Sequence, residues 1–210
     1  MSPSEEPRPV RYVALGDSYT IGTAVEPADA WPSQLAARVT TAGALQLVAN
    51  LGVNGYTSGD VIRDELPRLS SLKPDVVSLL VGVNDVVQGV SESIYRANVA
   101  RILDDLLTTL APNRIWTVAT PDYTVTPAGA DYGEPAARAA GILEVNAILR
   151  GLAGERRIAW VDIHDLSLRA GGDRTLVAVD GLHPSGRQYS LWVDRIAPVV
   201  AELLAQPPSR

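Results

Sequence analysis

The sequence contains no cysteine among its 210 residues. This absence excludes a disulfide scaffold, a thiolate zinc site, an iron–sulfur cluster and a cysteine nucleophile. Histidine is almost as scarce, since it occurs only at His164 and His183. A three-histidine metal site is therefore impossible within one chain, and we predict no metal site. Any chemistry that depends on imidazole must use one of these two side chains.

An excess of positive charge is also absent. The formal net charge is −6 at pH 7 and the pI is about 4.9, which leaves no basic patch for phosphates and predicts no nucleic-acid partner. The segment Met1–Val10 lacks the basic and apolar regions of a signal peptide. The longest apolar run, Val76–Val83, is interrupted by Ser78 and is far too short to cross a membrane. We therefore expect a soluble, cytoplasmic protein with no membrane span; the sequence leaves its oligomeric state open.

Short apolar runs alternate with segments of helical spacing along the chain. Because the runs are continuous in Val, Ile, Leu and Ala instead of alternating with polar residues, both faces of each strand should be buried, as in a parallel sheet. This pattern predicts an α/β three-layer sandwich in which a five-stranded parallel sheet lies between helices. The predicted strands are Tyr12–Leu15, Leu45–Leu51, Val76–Val83, Ile115–Ala119 and Ile158–Val161.

Helical spacing is clearest around Ile102–Leu110, around Ile142–Leu149 and from about Gly186 to Leu204. It is weaker at the pairs Leu35/Val39 and Leu66/Leu69. The polar, proline-rich tails, Met1–Pro9 and Gln206–Arg210, are predicted to be mobile. The length and the absence of internal repeats predict a single domain over residues 1–210.

Small and hydrogen-bonding residues follow three of the predicted strands. The segments are Gly16-Asp17-Ser18-Tyr19, Asn50–Gly55 and Gly82-Val83-Asn84-Asp85. Ligands of open parallel sheets bind beyond the carboxyl ends of the strands, so these segments are expected to meet at one site. A fourth polar segment, Asp180-Gly181-Leu182-His183-Pro184, directly precedes the last predicted helix.

Each segment also has a purely structural interpretation. Asp17 and Ser18 could cap a helix, and Gly55 could be an ordinary turn glycine. Asn84 or Asp85 could cap a helix that begins near Ser91. His183 before a proline could mark a helix start, and His164, between Asp162 and Asp165, favours a structural role.

Taken together, the segments supply every part of an acyl-transfer site. The hydroxyl of Ser18 needs an adjacent imidazole to take its proton. His183 can do this, with Asp180 three residues away to fix its tautomer. The oxyanion needs preorganised donors, which the backbone N–H groups of Ser18 and Gly55 and the side-chain amide of Asn84 can provide.

At these residues the sequence resembles the SGNH, or GDSL-type, hydrolase family over nearly the whole chain. The four family blocks correspond to Gly16–Tyr19, Asn50–Thr57, Gly82–Asp85 and Asp180–His183, and Trp31-Pro32 before Leu35 is also typical. The resemblance implies the nucleophile Ser18, the Asp180–His183 pair, and an oxyanion hole of Ser18, Gly55 and Asn84. It also implies a flavodoxin-like sheet of strand order 2-1-3-4-5.

Two positions depart from the family pattern. Tyr19 stands where GDSL has leucine, and we expect this change not to affect the chemistry. Tyr56 follows the oxyanion glycine where an acidic residue is common, which changes the expected polarity near the site.

The sequence thus predicts a serine esterase acting on small or short-chain acyl esters, with a small-molecule ester as its partner and no cofactor. We expect Asp17, Tyr56, Tyr123 and Tyr132 to contact the substrate. The long loop Thr120–Pro135 and the segment Thr23–Ala30 are expected to line its pocket. No GxSxG elbow is present, which disfavours an α/β-hydrolase-fold esterase.

Two alternatives remain open. The hydroxyl-rich segment Ser18–Thr23 after the first strand is typical of a phosphate cradle, so the chain could be a flavin- or phosphate-binding module. It could also be a non-catalytic relative that only binds acylated ligands. The natural substrate and the preferred acyl length cannot be read from the sequence.

Overall fold

A five-stranded parallel sheet forms the centre of the computed structural model, which describes residues 8–40 and 44–208. The strands are hydrogen-bonded in the order β2-β1-β3-β4-β5, and every pairing is parallel. The predicted order 2-1-3-4-5 is therefore confirmed. Their bounds are β1 (Val10–Gly16), β2 (Leu45–Asn50), β3 (Val76–Leu80), β4 (Ile115–Val118) and β5 (Ala159–Val161).

Helices cover both faces of this sheet, which confirms the three-layer prediction. Helices α2 and α9 pack together on one face, whereas α6 and α7 pack on the other. The helices of the described residues are α1 (Ser18–Ile21), α2 (Trp31–Arg38), α3 (Ser58–Asp60), α4 (Leu69–Leu72), α5 (Val83–Gln88), α6 (Glu92–Leu107), α7 (Pro135–Glu155), α8 (His164–Leu168) and α9 (Gly186–Ala205).

The central strand β1 explains why the strand sequences are continuously apolar. Tyr12 and Ala14 face the core shared with α2 and α9, whereas Val13 and Leu15 face the core shared with α6 and α7. All four residues are completely buried. Because successive side chains point to opposite faces, a strand between two helical layers has no solvated side on which a polar residue is favoured.

The predicted strand Val76–Val83 is too long at its C-terminal end. Strand β3 ends at Leu80, because Gly82 adopts a φ of +144° and Val83 already begins α5. Asn84 lies in the first turn of α5, so the expectation that it caps the helix near Ser91 is wrong; Ser91 itself is that N-cap. The residues after Leu80 remain apolar because they stay buried after the strand has ended.

The crossover between β2 and β3 is irregular where the helical pattern was weak. Its five-residue π-helical turn, Val61–Glu65, is followed by a 3₁₀ turn, Leu66–Arg68, and then by α4. Pro67 lies inside this stretch and cannot donate the backbone hydrogen bond of a regular helix. The π-helical turn places two side chains, Val61 and Glu65, in the interior.

The predicted mobile tails lie partly outside the described residues. Within them, Arg8 donates two hydrogen bonds to the Asp75 carboxylate, at 2.6 and 2.8 Å. The Arg114 guanidinium donates to the carbonyl oxygen of Gln206 at 2.7 Å, so this part of the C-terminal tail is tied down. No helix of the described residues is long and apolar enough to span a bilayer.

Candidate active site

Ser18 lies at the carboxyl end of β1, at the first position of α1. The chain turns there at Gly16, whose φ is +150°; a Cβ at this glycine would come within 2.1 Å of the Leu80 carbonyl oxygen. Asp17 then caps the short helix by accepting a hydrogen bond from the Tyr19 N–H at 2.9 Å. The turn therefore places the Ser18 side chain at the edge of the sheet, where it lines a cavity.

Asp17 itself is completely buried and does not line that cavity. The expectation that Asp17 contacts the substrate is wrong, because the carboxyl group points into the protein as a helix cap. Burial, together with the charge of Asp85, raises the pKa of Asp17 to about 8, although the hydrogen bond from the Tyr19 N–H acts in the opposite direction. Asp17 is thus a structural acid beneath Ser18.

The segment after β2 lies against this turn. A Cβ on Gly52 would come within 2.6 Å of the Asp17 carbonyl oxygen, so only glycine allows this approach. The Asn50 side chain fixes the segment by donating to the Thr20 carbonyl oxygen at 2.7 Å. Gly55 follows with a φ of +81° and lines the cavity. The Ser18 and Gly55 N–H groups have no hydrogen-bond acceptor among the described residues.

The side chain of Asn84, in the first turn of α5, lines the cavity opposite this segment. One hydrogen of its amide is donated to the Tyr56 carbonyl oxygen at 2.9 Å, which leaves the second hydrogen available. The buried carboxylate of Asp85 accepts from both the N–H and the hydroxyl of Ser58, at 2.9 and 2.5 Å. Asp85 therefore ties α5 to the segment that carries Gly55.

Asp180 and His183 form a closed pair on a turn before α9. His183 Nδ1 lies 2.6 Å from Asp180 Oδ2, and the N–H donates because an ionised carboxylate only accepts. The other carboxylate oxygen accepts from the backbone N–H groups of Leu182 and His183, both at 3.0 Å. Partial burial favours a higher pKa for Asp180, but these hydrogen bonds outweigh it and lower the pKa below its ordinary value.

The ring of Tyr19 packs against the imidazole of His183, with ring centroids 5.0 Å apart. Tyr19 also lines the cavity while its side chain is almost completely buried. The expectation that the change from leucine does not affect the chemistry stays a prediction, but the tyrosine ring lies directly against the predicted base. The tyrosine supports one face of the predicted base.

One cavity of about 280 Å³ brings the predicted groups together. Asp180 lies outside its lining, and its carboxylate holds the cavity-lining His183. Within the described part of the chain, Ser18 Oγ and His183 Nε2 make no hydrogen bond to each other. Catalytic hydrogen bonds of this kind often tighten only when the substrate binds. The polar lining residues are Ser18, Asn54, Gly55, Asn84 and His183, and the other lining residues are Tyr19, Val83, Val87, Tyr123, Tyr132 and Leu182.

The long loop supplies one wall of this cavity. Tyr123 is buried and meets the half-exposed Tyr132 edge to face, with ring centroids 6.1 Å apart. Sequence reasoning missed Arg138 of α7, which donates to the Tyr132 carbonyl oxygen at 3.1 Å and also to the Val86 carbonyl oxygen. No local pattern marks this arginine, because both acceptors are backbone carbonyl groups and that of Val86 lies 52 residues away along the chain.

Two expected substrate contacts are not on the cavity. Tyr56 contributes its carbonyl oxygen to Asn84, but its side chain interacts with Asp64 outside the cavity. The segment Thr23–Ala30 lies beside a separate surface depression instead. Sequence position alone misplaced both, because neighbouring residues of a loop face different sides of it.

The second histidine, His164, begins α8 and lies away from this cavity. Its Nε2 is 3.7 Å from Asp122 Oδ2, and its carbonyl oxygen accepts from the Ser167 hydroxyl at 2.6 Å. The Ser167 hydroxyl oxygen also accepts from the Asp122 N–H at 2.8 Å, and this hydrogen bond ties α8 to the segment after β4. Among the described residues, no group of three or more acidic or histidine side chains is arranged to hold a metal ion.

Residues 14–191 match the model of the GDSL-like lipase/acylhydrolase family. The chain belongs to this family. Its members are carboxylic ester hydrolases, for which a catalytic triad and an oxyanion hole are typical. Solved structures of other hydrolases share the fold with this chain at low sequence identity.

One is the lipase/acylhydrolase from Enterococcus faecalis, with a TM-score of 0.74 and 19% identity over 96% of this chain and 99% of that chain. Another is the psychrotrophic esterase EstA from Pseudoalteromonas sp., inhibited by monoethylphosphonate, with a TM-score of 0.70 and 17% identity over 93% and 99% of the two chains. The acetyl xylan esterase AlAXEase has a TM-score of 0.71 and 19% identity over 91% and 100%. No curated protein sequence matches the chain.

Proposed function

We propose that this GDSL-type hydrolase is a serine esterase that hydrolyses small or short-chain acyl esters through an acyl-enzyme on Ser18. The observation that carries the proposal is the 2.6 Å contact between His183 Nδ1 and Asp180 Oδ2 beside a cavity that Ser18 also lines. This contact leaves Nε2 of the imidazole as the basic nitrogen.

In the first half-reaction, the Ser18 oxygen attacks the ester carbonyl while His183 Nε2 takes the hydroxyl proton. Asp180 stabilises the imidazolium that forms. The Ser18 and Gly55 N–H groups and the second amide hydrogen of Asn84 would donate to the oxyanion. Each such donor contributes roughly 10²–10³ in kcat. Collapse of the tetrahedral intermediate expels the alcohol, which takes the proton from His183.

In the second half-reaction, water enters the place of the alcohol. His183 takes a proton from this water as its oxygen attacks the acyl carbonyl, and the same donors hold the oxyanion again. Collapse of the second intermediate breaks the bond to Ser18 Oγ, which recovers its proton from His183. The carboxylic acid is released, and the enzyme returns to its starting state.

The walls of the cavity favour a small and uncharged substrate. Val83 and Val87 lie four residues apart on one face of α5, and Leu182 and the two loop tyrosines complete an apolar wall. A cavity of about 280 Å³ is small for a ligand site. The described residues place no lysine or arginine on its lining, so a negative charge on the acyl group would have no partner.

Of the two alternatives, the phosphate-binding module has the weaker support. The N-terminus of α1 is already capped by the Asp17 carboxyl group, which occupies the Tyr19 N–H that a phosphate would need. A non-catalytic binder of acylated ligands has the same cavity, and only a chemical test separates it from an esterase.

That test is the turnover of p-nitrophenyl acetate and butyrate by the wild type and by Ser18→Ala. We expect the variant to lose hydrolysis while its Tm and circular dichroism stay those of the wild type. A fluorophosphonate probe should label the wild type but not the variant. Ser70→Ala, an exposed serine in α4, is the matched control and should keep full turnover. Undiminished hydrolysis by Ser18→Ala would falsify the proposal, and a wild type that neither turns over nor labels would identify a binder.

A further inference from the structure

Glu65 is a buried acid that the proposed reaction does not use. It is the last residue of the π-helical turn Val61–Glu65 and only 1% of its surface is exposed. π-helical turns insert one residue into a helix and are frequent at functional sites. In this chain the turn directs a carboxyl group behind the end of β1, which the strands β2 and β3 flank.

The carboxyl group of Glu65 reaches the turn that carries Ser18. Glu65 Oε2 accepts a hydrogen bond from the Gly16 N–H at 2.9 Å. Gly16 is the last residue of β1, two positions before Ser18, and it has the left-handed φ that starts the turn. A side chain from a distant crossover therefore supplies the hydrogen-bond acceptor at the point where the chain leaves the sheet.

The same carboxyl group has an unused oxygen. Glu65 Oε1 and Asp17 Oδ2 are both buried without a hydrogen-bond partner. An ionised carboxylate with a bare oxygen is costly to bury, whereas a protonated carboxyl group pays much less. The arrangement thus favours a neutral Glu65 whose carbonyl oxygen accepts from Gly16.

The surroundings of Glu65 act in the same direction. The pKa of Glu65 is raised to about 9. Burial is the largest cause and the charges of Asp17 and Asp64 add to it, whereas the hydrogen bond from the Gly16 N–H and the charge of Arg68 act against it. Asp17, whose pKa is about 8, faces Asp85 as a further acid. At neutral pH, Glu65 and Asp17 are therefore predominantly protonated.

The other titratable groups near Asp17 are tyrosines. Burial raises the pKa of Tyr19, Tyr95 and Tyr189 well above the ordinary value, so they stay neutral up to pH 10. A loss of activity between pH 8 and 10 would therefore report on the buried acids.

We propose that Glu65 is a positioning residue for the nucleophile: its neutral carboxyl group holds the Gly16 N–H and thereby fixes the turn that presents Ser18 Oγ and the Ser18 N–H to the substrate. This role rests on the proposed esterase function. It is distinct from catalysis by contact, because Glu65 does not line the cavity.

The test uses Glu65→Gln and Glu65→Leu with p-nitrophenyl acetate. Glutamine keeps a neutral oxygen acceptor, so we expect its kcat at pH 7 to stay within about threefold of the wild type. Leucine has no acceptor, so we expect kcat to fall roughly 10- to 100-fold with little change in KM, because the displaced groups act in the transition state. Glu155→Leu, which removes an exposed carboxylate of α7, is the matched control and should leave both constants unchanged.

The pH profile separates positioning from simple packing. The wild-type kcat should decline above pH about 9 as Glu65 ionises, and Glu65→Gln should lack the part of this decline that belongs to Glu65. If Glu65→Leu does not fold, this comparison still decides. A wild-type kcat in folded Glu65→Leu, or the same alkaline decline in Glu65→Gln, would overturn the inference.

Ser18→Ala in the same assay distinguishes the two proposals. If that variant is inactive while both Glu65 variants behave as wild type, only the role of Glu65 is refuted. If Ser18→Ala keeps full turnover, the esterase mechanism fails and the role of Glu65 fails with it.

Discussion

The imidazole of His183 rests on the ring of Tyr19, with the two ring planes inclined by 50°. Asp180 holds the Nδ1 edge of the same imidazole at 2.6 Å. The hydrogen bond to Asp180 fixes the rotation of the imidazole about its side-chain bonds, and the contact with the Tyr19 ring limits its tilt. A residue that looks like a neutral variation of the GDSL motif thus belongs to the support of the proposed base.

Tyr19→Leu and Tyr19→Ala test this support. Removing the buried ring leaves a cavity, so Tyr19→Ala should lower the free energy of unfolding by about 3–5 kcal/mol, and Tyr19→Leu by less. We also expect kcat to fall by about threefold to tenfold in Tyr19→Leu, since the imidazole loses an aromatic contact worth roughly 0.5–1.5 kcal/mol. Urea unfolding and p-nitrophenyl ester kinetics measure the two effects.

The matched control is Tyr12→Leu, a buried tyrosine of β1 that lies outside the cavity. It should lose stability but keep the wild-type kcat in its folded form. Equal kcat values for Tyr12→Leu and Tyr19→Leu would show that Tyr19 matters for packing only.

Asp180→Asn should lower kcat by roughly 10⁴-fold, because the amide favours the wrong imidazole tautomer. The pKa of Asp180 is lowered in the folded state, so its contribution to stability is complete at neutral pH and is lost as the pH falls below the ordinary carboxyl range. The Tm of the wild type should therefore drop more steeply between about pH 5 and 3 than that of Asp180→Asn.

For this comparison Asp173→Asn provides the control, because Asp173 also has a lowered pKa but caps a turn outside the cavity. It should reproduce part of the change in Tm with an unchanged kcat. An Asp180→Asn variant with wild-type turnover would rule out its role as the partner of His183.

Asp17→Asn should change the pH dependence of stability in the opposite sense. The pKa of Asp17 is about 8 in the folded state and about 3.9 in an unfolded chain, so the folded state binds the extra proton between these values. Stability then falls as the pH rises through this window, and it should be lower at pH 9 than at pH 6. The asparagine variant should have a flatter profile of Tm against pH, and an unchanged slope would contradict the assignment.

Arg138→Met should widen the range of acyl chains that the enzyme accepts. The guanidinium ties the Tyr132 wall to the end of α5, and methionine retains the apolar stem but donates no hydrogen bond. We expect kcat/KM for p-nitrophenyl octanoate to rise by a few-fold relative to the acetate.

Arg150, which also belongs to α7 but packs over the ring of Trp160, supplies the control. Arg150→Met should leave the ratio of octanoate to acetate hydrolysis at its wild-type value. The same ratio in both variants would mean that the wall does not set the acyl length.

Sequence alone could predict the sheet and the polar segments at its edge. Most residues of each strand are apolar, and a polar segment begins close to where the strand ends, as at Gly16 and Gly82. Local patterns of this kind depend on residues that are neighbours in the chain. The Asp180–His183 pair is also local, since both side chains belong to one turn.

The remaining features depend on contacts between distant segments. Glu65 looks like a surface residue of a charged helix until the π-helical turn places it under Gly16. Tyr19 and Arg138 act on groups more than 40 residues away along the chain. Sequence periodicity does not reveal such contacts, because tertiary packing, and not spacing along the chain, determines which residues meet.

The turn that carries Asp180 and His183 is anchored at its base by the isolated bridge between Val177 and Pro184 and by the hydrogen bond from Ala178 N–H to the His183 carbonyl oxygen at 2.7 Å. Asp180 and His183 therefore move together as a rigid unit when this turn shifts. A shift of the turn therefore leaves the distance between Asp180 and His183 unchanged. It can slow turnover only by changing the distance between His183 and Ser18.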